Sequence, residues 1–155
     1  QILLKLIKIS VWPPEYFKLI LMFQKEVAER ILAKYNTANY GRLSIVSNWR
    51  LKIIDHFDVS KNCFHPKPKV NSSVVIFEPK VNNSYIIKDI INLEKVTQIF
   101  FSNRRKMINK SFKKLFGNNQ NINKIIKVDL TNRPSNLKPE DFYRMTEYYE
   151  SGLNT

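Results

Sequence analysis

The sharpest local feature of this chain is Phe64-His65-Pro66-Lys67-Pro68-Lys69-Val70-Asn71-Ser72. Pro66 and Pro68 fix their own φ angles and push the residues before them toward extended geometry, so the segment is expected to be stiff. A stiff segment presents Phe64 at low entropic cost, with Lys67 and Lys69 alongside for phosphates. That combination stacks a base drawn out of its helix while gripping the backbone beside it. The same residue types describe an ordinary connection between two strands, with Phe64 in the core and the lysines solvated. Residue type alone favours that plainer account.

A second constellation is basic. Lys95, Arg104, Arg105, Lys106, Lys110, Lys113 and Lys114 follow one another with no acidic residue between the first and the last. Such a block reads as a phosphate-tracking surface, although runs of Lys and Arg are more often solvated helix faces. Arg133 either joins this surface or pairs with Asp129 or Glu140. His56 and His65 are the only histidines and have no Cys or carboxylate partners at ligand spacing, so no metal site is expected. Nothing around Cys63 suggests an activated thiolate, and it is expected to pack as a small apolar residue.

Composition sets the frame. At 155 residues the chain holds one compact domain or two small units, and 43% hydrophobic with 12% aromatic residues supplies a core. Twenty-six Lys and Arg against 13 Asp and Glu leave a net charge of +13, which points to a polyanionic partner. Abundant Lys, Asn and Ile would also follow from a low-GC genome, so clustering must decide. A single cysteine excludes an intrachain disulfide and suits a reducing compartment, the cytoplasm. No apolar run reaches the roughly 18 residues of a membrane span, and no secretory signal opens the chain. It begins with Gln1 rather than Met, which points to residues before it having been removed or left out.

The elements that must position these groups are readable in outline. Ile2, Leu6 and Ile9 fall at helical spacing, and Trp12-Pro13-Pro14 ends that helix and serves as a connector. Residues 17–23 form an apolar run of the kind a strand buried on both faces prefers. Residues 25–33 follow as a helix with Val27, Ala28, Ile31 and Leu32 on one face, the order of a parallel α/β sheet. A short helix is expected over 42–50, with Leu43, Val46 and Trp49 inward. Strands are expected around 51–59 and 72–77, paired antiparallel at the end of the sheet.

Beyond residue 81 the pattern turns helical, with helices expected over 93–102, 104–116, 122–128 and 138–150. The break near Ser102 follows from geometry, because Val96, Ile99 and Phe100 face one way while Ile108, Phe112 and Leu115 face another. Gly117 sits where a helix C-cap wants glycine, and Pro139 fits a first turn.

The run from Phe64 to Val74-Val75-Ile76, with Phe23-Gln24-Lys25-Glu26-Val27-Ala28-Glu29-Arg30 and Tyr40-Gly41-Arg42-Leu43-Ser44, resembles the ribosomal RNA adenine dimethyltransferase family. Phe101-Ser102-Asn103-Arg104-Arg105-Lys106 and Arg133-Pro134-Ser135-Asn136-Leu137 resemble that family's C-terminal helical domain. Five ordered motifs are far more specific than any one alone.

The resemblance implies an α/β fold. Residues 1–80 would be the distal part of a Rossmann-like methyltransferase sheet, and residues 84–155 a small all-helical RNA-binding domain. It implies S-adenosylmethionine as cofactor and transfer of methyl groups to the exocyclic amine of adenine, which must be held in line with the sulfonium methyl. It carries Phe64 over as the stacking partner of the target adenine. Lys67, Lys69, Arg104, Arg105, Lys106, Lys110, Lys113 and Arg133 are the expected RNA contacts.

The family's Asn-Leu-Pro-Tyr type acceptor tetrapeptide and glycine-rich cofactor loop are absent, since the only glycines are Gly41, Gly117 and Gly152. By family order Gln1 falls just after that tetrapeptide. The chain is therefore expected to bind no cofactor alone and to be inactive alone. The expected activity of the parent is dimethylation of adenine N6 in small-subunit ribosomal RNA, with the immature small ribosomal subunit as partner. Two alternatives remain: a non-catalytic RNA-binding or ribosome-assembly module, and a large-subunit methyltransferase of the antibiotic-resistance type.

Overall fold

The computed structural model describes residues 2–117 and 120–152. Helix α1 (Ile2–Ile7) buries Leu3 and Ile7. Strand β1 (Leu19–Gln24) follows, and α2 (Lys25–Leu32) starts at the next residue with no intervening loop. Ala28 and Ile31 of α2 are fully buried, on the stripe that its spacing sets.

Helix α3 (Arg42–Arg50) buries Ile45, Val46 and Trp49. Its start is closed by Ser44, whose Oγ accepts from the Gly41 N–H at 3.2 Å and donates to the Gly41 carbonyl at 2.8 Å. Strands β2 (Leu51–Val59) and β3 (Ser72–Pro79) complete the sheet.

The strand order is β1-β3-β2, and β3 pairs antiparallel with both neighbours. β1 and β2 therefore run in the same direction on either side of it. The expected antiparallel pairing of β2 with β3 is present, but β3 is central rather than terminal. Its β-branched Val74, Val75 and Ile76 suit a position hydrogen-bonded on both edges.

The expected burial of β1 on both faces does not hold. Leu21 and Phe23 face α2 and the core, with Phe23 edge-on to Phe77 at 6.4 Å, whereas Ile20 and Met22 are 63% and 55% exposed. Helices α2 and α3 cover one face of the sheet, and within the described residues no helix covers the other.

The helical part comprises α4 (Ile90–Phe101), α5 (Asn109–Phe116), α6 (Gln120–Ile126) and α7 (Pro139–Gly152). The chain does turn after α4, and Gly117 caps α5 at φ 71°. The expected helix over 104–116 begins five residues late, because residues 102–108 are turns. Buried Ile108 gives its N–H to the Asn132 carbonyl at 2.9 Å, so it enters α5 from a fixed point while Arg104 reaches back to the α2–α3 connection.

One continuous core joins both parts. Phe142 stacks on Phe101 at 5.7 Å and meets Phe100 edge-on at 5.8 Å, while Tyr40 meets Phe101 at 6.2 Å. Tyr143 donates its hydroxyl proton to the Ile45 carbonyl at 2.8 Å, and burial raises its pKa. The buried carboxylate of Glu150 accepts from the N–H groups of Lys88 and Asp89 and from the Asn92 amide, fastening α7 to the start of α4. Cys63 is exposed rather than packed, because the short turn Lys61–Cys63 lies outside the core.

Candidate nucleic-acid interface

The segment carrying Phe64 is tied down at its base. Asn71 holds it from two sides: its Oδ1 accepts from the Lys61 N–H at 3.0 Å, and its carbonyl accepts from the Lys25 N–H at 3.0 Å. The second bond attaches the segment to the β1–α2 junction. Beneath it Asp58 accepts from Lys25 Nζ and from Ser73 Oγ, both at 2.6 Å. The Lys25 bond, then the Ser73 bond, hold the Asp58 carboxyl below the usual carboxylate range, and the same contact raises the Lys25 ammonium.

On this braced base Phe64 is partly exposed and is absent from the side chains packed on the core. Lys67 and Lys69 are exposed beside it, and neither is in any of the four ion pairs among the described residues.

The second group forms around the connection between α2 and α3. Arg104, in the turn after α4, donates to the Ala38 carbonyl. The Pro134–Asn136 turn docks on the same connection: the Asn36 N–H bonds the Ser135 carbonyl, and Asn136 Nδ2 bonds Asn36 Oδ1, both at 2.8 Å. Arg133, which starts that turn, is exposed and belongs to none of the four ion pairs, so neither Asp129 nor Glu140 holds it.

A cleft of about 490 Å³ opens here, and Arg30 from α2, Arg42 from the first turn of α3 and Arg104 all line it. No carboxylate is among its lining residues. Lys106 and Lys110 line a separate hollow of about 310 Å³, which reaches Asn103, the chain neighbour of Arg104. Arg105 and Lys113 are exposed nearby, and Lys95 instead sits over the Tyr149 ring at 5.0 Å.

The fold thus brings Arg104, Lys106, Lys110 and the Arg133 turn into one region. It keeps Phe64, Lys67 and Lys69 in a separate one. Helix α2 links the two, with Lys25 at the Phe64 base and Arg30 in the cleft. Five residues of helix separate them, about 7.5 Å along the axis.

Sequence reasoning did not single out Arg30 and Arg42, which line the cleft. Arg30 lies four residues after Glu26, the spacing of a helical ion pair, so its position in the sequence does not mark it as a free cation. No such pair forms.

The model of the family described as ribosomal RNA adenine dimethylase matches residues 1–151. The chain belongs to this family. It is 46% identical over 132 residues to the ribosomal RNA small subunit methyltransferase A of Pelagibacter ubique (strain HTCC1062), covering 85% of this chain and 50% of that relative. The crystal structure of a dimethyladenosine transferase from Plasmodium falciparum matches with a TM-score of 0.71 at 28% identity, over 96% of this chain and 62% of that one. The 23S rRNA methyltransferase ErmE, at a TM-score of 0.55 and 18% identity over 91% of this chain and 58% of that one, shares the fold.

The chain spans about half the length of the curated relatives it matches. The resemblance read from five ordered motifs is borne out by the family model, and the α/β framework is similar to that of the dimethyladenosine transferase structure.

S-adenosylmethionine, the family's methyl donor, calls for a glycine-rich loop between a strand and a helix. The described residues do not fit it. Gly41 precedes α3, Gly117 ends α5 and Gly152 ends α7, and β1 runs into α2 through Gln24 with no loop at all. No group of three or more His, Cys, Asp or Glu placed to hold a metal occurs among the described residues. No helix among them is long and apolar enough to cross a membrane.

Proposed function

We propose that these residues form the RNA-gripping, base-stacking part of an enzyme that dimethylates adenine N6 in small-subunit ribosomal RNA, acting on the immature subunit in the cytoplasm. In this reading residues 1–80 are the distal part of a Rossmann-like sheet and residues 84–155 a helical RNA-binding unit. The methyl donor, S-adenosylmethionine, is held by other residues of the parent protein, and residues 1–155 alone do not methylate.

The observation that carries the reading is the cleft of Arg30, Arg42 and Arg104, three guanidinium groups from three separate elements with no acidic neighbour in the lining. Guanidinium groups held without carboxylate partners are suited to phosphates, which they bind in a planar, forked geometry. Phe64 supplies the stacking surface, and Lys67 and Lys69 the charge beside it. Arg105, Lys113 and Arg133 widen the phosphate-tracking surface. The names of the curated relatives favour the small-subunit branch over the large-subunit alternative.

The test is binding of a small-subunit ribosomal RNA hairpin across a salt series. Changing Arg30, Arg42 and Arg104 together to Ala should flatten the log–log salt slope by about 2, at about 0.7 per single-strand phosphate contact. An unchanged slope refutes the cleft as an RNA site. Calorimetry with S-adenosylmethionine should give no heat of binding, and clear binding by residues 1–155 would overturn the assignment of the donor site elsewhere.

The lack of a strand–glycine–helix cradle among the described residues favours a second reading, a non-catalytic RNA-binding or assembly module. Methylation restored by adding the amino-terminal half of a relative would decide against that module.

A further inference from the structure

The arginine cleft does not end where the arginines end. A second hollow of about 380 Å³ adjoins it, sharing Ala38 and Asn39, and is lined further along by Thr37 and Lys34. A third of about 520 Å³ shares Leu32, Ala33 and Lys34 with the second and is lined by Tyr35, Lys52, His56 and Lys80. Because neighbouring hollows share walls, the three form one groove. It runs around the α2–α3 connection from the turn after α4 to the edge strand β2.

Its charge is one-sided. Arginines stand at one end and lysines at the other, and the sole carboxylate in the lining is Glu29, whose Oε2 accepts from Asn39 Nδ2 at 3.4 Å. Glu140 faces the lysine end, acting on Lys80 and Tyr40, and Asp141 beside it also acts on Tyr40. Lys34 and Lys52 are exposed and belong to none of the four ion pairs among the described residues. Lys80 has a structural task, donating to the Asn48 carbonyl at 2.5 Å.

The Tyr35 ring is 40% exposed, with Lys138 Nζ 5.9 Å from its centre. A cationic track with an aromatic face beside it suits a single strand, because phosphates follow the charge and any base can lie on the ring. Each hollow is of small-ligand size, within the roughly 300–1,000 Å³ range, which suits individual nucleotides rather than the face of a duplex.

We infer that this groove carries a single-stranded extension of the bound RNA, its phosphates passing from the arginine cleft to Lys34 and Lys52 and one base resting on Tyr35. The inference rests on the RNA-binding reading above and adds a second stretch of RNA to it.

The experiment compares two RNAs, the hairpin alone and the same hairpin with single-stranded nucleotides added at either end. For the wild-type chain the extended RNA should bind more tightly. Lys34→Ala with Lys52→Ala should flatten the salt slope for the extended RNA by about 1.4, so that between 50 and 200 mM salt the wild type loses about sevenfold more affinity than the variant. The hairpin alone should show no change. Tyr35→Ala should weaken the extended RNA by about fivefold or more, as loss of one stacked base does.

Photocrosslinking of 4-thiouridine in the extension should label the peptide containing Tyr35. An extension that adds no affinity, variants that affect both RNAs equally, or no effect of the variants on the extended RNA would each overturn the groove while leaving the arginine cleft standing. Failure of the wild type to bind either RNA would overturn both.

Discussion

Replacing Arg50 by Ala should cost the protein about 2–3 kcal/mol of stability. Its guanidinium lies between two indoles, 4.8 Å from the centre of the Trp12 ring and 4.5 Å from that of Trp49. Its Nη1 donates to the carbonyls of Ile7 at 2.7 Å and Ile9 at 2.8 Å. These carbonyls lie at and beyond the end of α1, where no further helical turn supplies a donor.

Each hydrogen bond from a charged donor contributes about 1.5–3 kcal/mol and each cation–π contact at an exposed site about 0.5–1 kcal/mol. The low ends together come to about 4 kcal/mol, and partial exposure of the group lets water replace roughly half of that. Burial lowers the Arg50 pKa, but the group stays charged across the accessible range.

Urea denaturation of the wild type, Arg50→Ala and Arg50→Lys measures the effect. Lysine keeps the charge and loses the planar stack and the fork, so it should lie between the other two. Hydrogen exchange in α1 should accelerate in both variants. An Arg50→Ala protein within about 0.5 kcal/mol of wild type would refute the reasoning, because a change of that size is ordinary for surface sites.

Three further outcomes follow from single sites. Asp58 titrates lower in the folded protein than in the unfolded chain, so the unfolded chain binds more protons at acid pH. The contribution of Asp58 is therefore present above the ordinary carboxylate pKa of about 4 and is lost as pH falls through the lower folded value. Proteolysis of residues 60–71 should accelerate in that acid window, and Asp58→Asn should remove the pH dependence. Gly117→Ala should cost about 1–3 kcal/mol in thermal denaturation, because φ 71° with ψ −159° strains an L side chain although no atom within 4 Å obstructs a Cβ. Gly152→Ala, with equally open surroundings, serves as the unstrained control. Phe64→Ala should weaken binding of the RNA hairpin by about 1–3 kcal/mol and abolish quenching of 2-aminopurine placed at the flipped adenine, whereas Phe64→Tyr should preserve both. Equal quenching with Ala would show that the ring does not stack.

Local signals made α2, α3 and α7 legible, since each carries its apolar stripe and boundary residues within a few positions. Long-range relations were not legible. The partner of β1 is β3, about fifty residues on, and nothing in the run 19–24 states that β3 inserts between β1 and β2. The break near Ser102 was legible from the two apolar stripes, but its length was not: Arg104 to Lys106 are good helix formers, and what holds them out of a helix is the anchoring of Ile108 by Asn132 and of Arg104 by Ala38. The basic block was visible as composition. Its arginine partners Arg30 and Arg42 were not, because only the fold sets them opposite Arg104.

Strand order also explains where Phe64 stands in the fold. Ser72 opens β3 and pairs with Gln24, the last residue of β1, and with Val59, the last residue of β2. The Phe64 segment therefore rises from the carboxyl ends of two strands that run the same way, the edge at which open α/β sheets bind their ligands. Residues on the helix-covered side of the sheet, Leu21, Phe23, Val75 and Phe77, fix that edge from within the core. The opposite side presents Ile20, Met22 and Phe57 to solvent, in register with Ile76 and Val74. Arg30 approaches from the covered side, on the helix that begins at the same edge. The proposed RNA contacts thus converge on the Phe64 segment from the helical side, away from the exposed Met22 and Phe57.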